Sequence, residues 1–145
     1  MPTRCGKSPI PSSWIQLLCK GYHVVEIIPD IAYAAHLHGE LFLPGNTAPK
    51  HGFPAALLIH GGAWSSMDRH AVQGVADFLA ENGFAVFNID YRLAPEHHWP
   101  AGLDDCKTAV EWLANSDYPI NIRQIFAVGG SAGGLGERPV DHDLD

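Results

Sequence analysis

Three short apolar runs, AALLIH (55–60), FAVFNIDY (84–91) and QIFAV (124–128), are separated by two stretches of helical periodicity, and this alternation constrains the chain most. Runs of this length without polar alternation suit strands buried on both faces of a sheet. Between the first two, HAVQGVADFLAENG spaces Val72, Val75, Phe78 and Leu79 as one helical face and stops at Asn82-Gly83, a C-terminal signal. Between the second and third, a helix opening at Pro100, a favoured first-turn residue, sets Leu103, Cys106, Val110 and Leu113 on one face. Strand, helix, strand, helix, strand predicts an α/β fold: a mostly parallel sheet wound with right-handed crossovers and flanked by helices.

Upstream, HVVEIIP and LHGELFLP read as two strands, the second alternating His38, Glu40 and Phe42 against Leu37, Gly39 and Leu41. The GNTAPKHGFP that follows is turn chemistry, so a hairpin-like start is expected. A chain of 145 residues, 46% hydrophobic and 17% charged, supports one domain with a real core and excludes a disordered or fibrous polymer. Its net charge of -7, with no long acidic run, excludes a nucleic-acid surface and suits a small neutral or cationic ligand. Cys5, Cys19 and Cys106 are odd in number and lack C-x-x-C spacing, which indicates neither a disulfide framework nor a zinc site. A reducing compartment follows, with the cytoplasm as the default location. Residues 1–20 are expected to be a loosely ordered leader, because WIQLLC is too short for a signal peptide or a membrane span.

Three stretches carry chemistry. HGGAW, His60 to Trp64, follows the first buried strand, and its paired glycines let backbone N–H groups approach a ligand oxygen closely. A Gly-rich strand-to-helix turn has the same composition, so this stretch alone leaves both readings open. GGSAGG follows the last strand; glycines two before and two after Ser131 permit the sharp turn that exposes a hydroxyl above a sheet, with the Ala132 N–H as an oxyanion donor. DYRLAPEHHWPAG, Asp90 to Gly102, is a stiff proline-bearing loop at the strand-end edge where ligands of open α/β sheets bind, and its residues read as supporting ones.

Taken in this order, HGGAW, YRLAPEHHWPAG and GGSAGG resemble the α/β-hydrolase superfamily, and within it the hormone-sensitive-lipase-like carboxylesterases and kynurenine-formamidase-like esterases. The resemblance runs from about residue 21 to Gly134. It implies that Ser131 is the catalytic nucleophile, that Gly61, Gly62 and Ala132 supply the oxyanion hole, and that His60 and Trp64 support the oxyanion loop. The implied reaction is hydrolysis of a small-molecule ester through an acyl-enzyme, with no metal or organic cofactor and no nucleic-acid or membrane partner.

The superfamily's acid and histidine follow the serine, beyond later strands. Residues 135–145, LGERPVDHDLD, read instead as a polar tail outside the family pattern. Asp141 and His142 stand closest downstream, but Pro139 and the clustered acids predict an exposed segment, whereas a base needs packed support. His60, His70, His97 and His98 belong to loops and a helix upstream. The expectation is therefore the N-terminal part of an α/β-hydrolase fold, truncated after the nucleophile elbow, with QIFAV left as an open edge that invites self-association. Two alternatives stay open: an inactive fragment that binds an acyl ligand or partner chain, and an amidase or peptidase of the same superfamily.

Overall fold

The computed structural model describes residues 24–135; the leader (1–20) and the polar tail beyond Leu135, with Cys5, Cys19, Asp141 and His142, lie outside the described residues. The elements are β1 (Val25–Ala34), β2 (Leu37–Pro44), β3 (Phe53–Ile59), a 3₁₀ turn (Arg69–Val72), α1 (Gln73–Glu81), β4 (Ala85–Ile89), α2 (Ala101–Ala114), β5 (Ile120–Gly129) and the short α3 (Ala132–Leu135). Five strands form one sheet in the order β1-β2-β4-β3-β5.

The start is a hairpin, as the two predicted strands imply: β1 and β2 pair antiparallel from Val25 opposite Pro44 to Ala34 opposite Leu37. β1 runs longer than HVVEIIP because a bulge between Ile28 and Ile31 absorbs Pro29, and Asp30 takes a φ of 52°. Gly39 belongs in β2 for a packing reason, since a Cβ there would sit 2.7 Å from the Phe87 ring. From β3 onward the strands are parallel, β3 to β4 and β3 to β5.

The chain leaves β3 toward β4, then crosses back over β3 to reach β5. That reversal puts the two crossover helices on opposite faces. Ala109 and Leu113 of α2 pack on Leu57, Ile59, Phe87 and Ile89, whereas Ala76 and Ala80 of α1 pack on Phe42, Ala56, Leu58 and Val86. A reversal of strand order also opens a crevice at the strands' carboxyl ends, the usual ligand site of open α/β sheets.

The inward face of α1 differs from the expected Val72, Val75, Phe78 and Leu79. Val72 and Leu79 do flank the contact, but Val75 and Phe78 are 44% and 62% exposed. The sheet beneath α1 is floored by Phe42, Leu58 and Val86, so methyl-sized side chains permit the closest approach and Ala76 and Ala80 take the centre. The stop at Asn82-Gly83 is as read: Gly83 has φ +93°, its N–H reaches the Ala80 carbonyl at 3.1 Å, and the Phe84 N–H reaches that of Leu79 at 3.1 Å. Pro100 is the cap of α2 and the helix begins at Ala101. Its buried line runs through Asp105, Ala109 and Leu113, with Cys106 and Val110 beside it.

β5 begins four residues before QIFAV. Phe53 pairs with Ile120 and Ala55 with Ile125, so residues 121–124 stand out as a bulge opposite Pro54 alone. Hydrogen bonds from the Asn121 amide to the Gln124 side chain (2.9 Å) and from the Arg123 N–H to the Asn121 side chain (3.1 Å) hold it. Among the described residues β5 has a strand neighbour on one side only. No helix of the described residues is long and apolar enough to cross a membrane.

Candidate active site

Ile59 pairs with Gly129, so the loops leaving β3 and β5 start at the same height. His60-Gly61 and Gly130-Ser131 are thereby neighbours. A Cβ on Gly61 would lie 2.9 Å from the Gly130 carbonyl oxygen and 3.5 Å from the Ser131 Cβ, which is why the approach requires glycine.

Ser131 is exposed and holds φ +54°, a left-handed conformation that costs a non-glycine residue about 1–2 kcal/mol. Its turn is closed by Gly133 N–H to the Gly130 carbonyl (3.0 Å) and Gly134 N–H to the Ser131 carbonyl (3.1 Å). The flanking glycines are sterically obligatory. A Cβ on Gly129 would meet the Gly133 backbone at 2.5 Å, and one on Gly133 would meet the Ile59 carbonyl oxygen at 2.3 Å. Gly130, by contrast, has open space where a Cβ would go.

The loop after β3 is turned tightly by Gly62, whose φ is +112° and whose carbonyl accepts from Ser65 N–H, Ser66 N–H and the Ser66 hydroxyl. Ala63 and Trp64 follow with φ of 52° and 61°. Among the loop and side-chain hydrogen bonds of the described residues, none takes the N–H of Gly61, Gly62 or Ala132 as donor. These donors stand beside the elbow without a loop or side-chain partner, the property an oxyanion site needs.

His60 is 1% exposed, and its ring stacks on Tyr91 with centroids 4.4 Å apart. Its Nδ1 lies 2.7 Å from the Gly61 carbonyl, and a carbonyl only accepts, so Nδ1 carries the proton. The Tyr91 hydroxyl donates to the His60 carbonyl at 2.8 Å, and burial first of all pushes the phenol up to about 12. Trp64 is linked through its backbone: its carbonyl accepts the Ala94 N–H at 2.7 Å, joining this loop to the one after β4.

Two ion-pair groups brace these loops. Asp105, 2% exposed, accepts from the Arg92 backbone N–H (2.8 Å), Nε (2.9 Å to Oδ1) and a terminal nitrogen (2.7 Å), and these hydrogen bonds, then the charge, raise the Arg92 pKa. Arg69 pairs with Asp90 and lies 3.5 Å from Glu40, while the Asn88 amide donates to the Arg69 carbonyl at 2.8 Å. Burial alone would lower the Arg69 pKa; the charge and hydrogen bond of Asp90, then Glu40, outweigh it and leave it raised.

Beside the elbow, on the α2 face, lies a cavity of about 940 Å³ walled by Trp64, His97, Leu103, Cys106, Val110 and Ala132 among others. Burial, followed by the charge of Asp105, pushes the Cys106 thiol up to about 12, so it stays protonated at neutral pH.

The BD-FAE family model matches residues 40–135, from β2 through the elbow. The chain belongs to this family. It is 43% identical over 90 residues to esterase LipC of Mycobacterium tuberculosis, a match covering 59% of this chain and 22% of that protein. To carboxylesterase NlhH of the same organism it is 35% identical over 89 residues, 59% of this chain and 28% of the relative. Among solved structures, an esterase of Pyrobaculum calidifontis superposes with a TM-score of 0.70 at 28% identity, covering 86% of this chain and 41% of that one. Esterase B from Lactobacillus rhamnosis gives 0.71 at 23% identity, covering 86% and 45%, a likeness of fold. The chain thus spans about a quarter of these curated relatives and under half of these structures. The chain is an α/β-hydrolase of a carboxylesterase-like enzyme family, with the mixed, mostly parallel five-stranded sheet and flanking helices of that fold.

The six residues singled out by sequence (Ser131, Gly61, Gly62, Ala132, His60 and Trp64) fall just beyond the carboxyl ends of β3 and β5. Sequence reading missed the buried Asp105 and the Arg69–Asp90–Glu40 group. A signal for the first exists: Asp105 shares helical spacing with Ala109 and Leu113, and an acid on a core-facing line demands a cation.

Proposed function

We propose that this chain carries the nucleophile and oxyanion hole of a serine carboxylic-ester hydrolase acting on small-molecule esters. The observation that carries the reading is the approach of Gly61 to Gly130 and Ser131, which sets free-standing N–H groups beside an exposed, strained serine. The Ser131 hydroxyl attacks the ester carbonyl, and the developing oxyanion is received by the N–H groups of Gly61, Gly62 and Ala132. Collapse expels the alcohol, and water then cleaves the acyl-enzyme. One such donor contributes about 2.7–4 kcal/mol to the transition state.

The base that takes the serine proton comes from outside the described residues. No described histidine is hydrogen-bonded to the Ser131 hydroxyl, and His60 commits its Nδ1 proton to Gly61. The test is hydrolysis of a short-chain aryl ester by the purified chain beside Ser131→Ala, with fluorophosphonate labelling mapped by mass spectrometry. Turnover and label that both vanish in the variant support the reading. Ester turnover unchanged in the variant defeats it.

The cavity favours a second reading, capture of an acyl ligand without turnover. A fluorescent fatty-acyl probe bound equally by parent and Ser131→Ala, with background hydrolysis in both, marks that outcome. An amide substrate cleaved faster than the matching ester would assign amidase chemistry to the same elbow.

A further inference from the structure

We propose that Tyr91 is a positioning residue for the oxyanion loop, acting through His60 to fix the direction of the Gly61 and Gly62 N–H groups. The inference rests on the reading of those groups as oxyanion donors, and it deepens that reading. Among the described residues neither N–H has a loop or side-chain partner of its own, so each is aimed by whatever holds its peptide plane. A trans peptide is planar, and its C=O and N–H point in opposite directions. A donor that grips the carbonyl therefore also aims the N–H.

Both carbonyls are gripped. The Tyr91 hydroxyl donates to the His60 carbonyl at 2.8 Å, and the plane that begins there ends at the Gly61 N–H. The protonated Nδ1 of His60 donates to the Gly61 carbonyl at 2.7 Å, and that plane ends at the Gly62 N–H. Tyr91 reaches this second plane too, because its ring stacks on the His60 imidazole at 4.4 Å with 21° between the planes. One side chain thus holds His60 by its backbone and by its ring. Hydrogen bonds in a chain polarise one another, so a donor on the carbonyl also strengthens the N–H toward an oxyanion.

Tyr91 can carry this role because it is itself fixed. It is 6% exposed and lies between Asp90, which accepts the Arg69 N–H at 2.8 Å, and Arg92, whose N–H donates to the buried Asp105 at 2.8 Å. The first turn of α2 packs on the ring at Gly102, where a Cβ would lie 3.1 Å from the Tyr91 Cδ2, so the ring has little room to swing. The ion pairs brace the loop after β4, and Tyr91 transmits that rigidity to the loop after β3.

Nitrogen-15 relaxation on the full-length protein tests the clamp without relying on turnover. In the parent, the Gly61 and Gly62 amides should be as ordered as rigid backbone, with order parameters of about 0.85, and His60 should carry its proton on Nδ1. Tyr91→Phe keeps a ring to stack but removes the hydroxyl, so the Gly61 amide should fall below about 0.6 while Val86 and Phe87 in β4 hold their parental values. Tyr91→Leu removes the stack as well and should loosen Gly62 besides. In the same Tyr91→Phe protein, kcat for a short-chain aryl ester should fall at least ~10-fold with KM within ~2-fold, because the hole acts on the transition state and not on ground-state binding. Mobile Gly61 and Gly62 amides in the parent, a His60 proton on Nε2, or order parameters unmoved by both variants would each overturn the proposal. A loss of kcat matched by an equal rise in KM would assign Tyr91 to substrate binding and overturn it as well. Ester turnover indifferent to Ser131→Ala defeats instead the reading on which it rests, and the order parameters still decide whether Tyr91 holds the loop.

Discussion

β4 and β5 flank the same strand, β3, and both run parallel to it, yet among the described residues one is enclosed on both sides and the other has a strand neighbour on one side only. All five residues of β4 are buried, while none of β5 is. The sequences differ little in apolar character: AVFNI against IFAVG. What differs is cover. β4 has β2 and β3 at its sides and helices on both faces, whereas β5 among the described residues has β3 as its one strand neighbour and contacts from α2 and α3. Apolar character thus reports the environment a strand is built for, and neighbours decide how much of that environment it has.

The largest contrast should come from matching truncations on the two strands. Phe87 in β4 is fully buried, stacked on Trp112 at 4.6 Å and edge-on to Tyr33 at 5.7 Å, and Phe87→Ala is expected to cost about 3–5 kcal/mol in urea unfolding. A loss below about 1 kcal/mol would mean the enclosed side is no better packed than the open one. Next comes Gly133→Ala, which drives a Cβ to 2.3 Å from the Ile59 carbonyl and joins β3 and β5 through backbone alone. It should cost about 2–3 kcal/mol, where Gly130→Ala at an open position costs far less; equal melting temperatures would show the elbow to be looser than drawn.

A pH dependence separates the α2 side from β5. Burial, then the charge of Asp105, pushes the Cys106 thiol from its ordinary 9.0 up to about 12, so above about pH 9 the unfolded chain releases a proton that the folded one keeps. Stability from this group is whole below pH 9 and declines as pH rises toward 12. Tyr91, pushed up to about 12 chiefly by burial, acts in the same direction above 10. Cys106→Ala should flatten the fall in melting temperature between pH 9 and 11; an unchanged slope would assign the fall elsewhere. The smallest effect is on β5: Phe126, 51% exposed, should lose under about 1 kcal/mol on Phe126→Ala, and a loss as great as that of Phe87→Ala would erase the contrast.

The candidate site was legible because its chemistry depends on backbone conformation. Glycine at 61, 62, 129 and 133 is demanded by φ or by a close approach, and such demands are written at single positions. The braces were less legible. Arg92 and Asp105, or Arg69 and Asp90, find each other only once β4 and its following loop lie beside α2 and the 3₁₀ turn. Helix α1 marks the same boundary: its periodicity permits two neighbouring faces, and the larger side chains, Val75 and Phe78, lost to alanines that fit closer to the sheet.

By itself, then, the sequence determined the order of strands and helices, the stop of α1 and the two glycine-bearing turns, because local periodicity and φ preferences operate over a few residues. Tertiary structure alone decided the order β1-β2-β4-β3-β5, the inward face of α1, the ion pairs bracing the loops and the bulge at residues 121–124 of β5. Each of these depends on which distant surfaces come into contact, and close packing settles that by shape after the elements have formed.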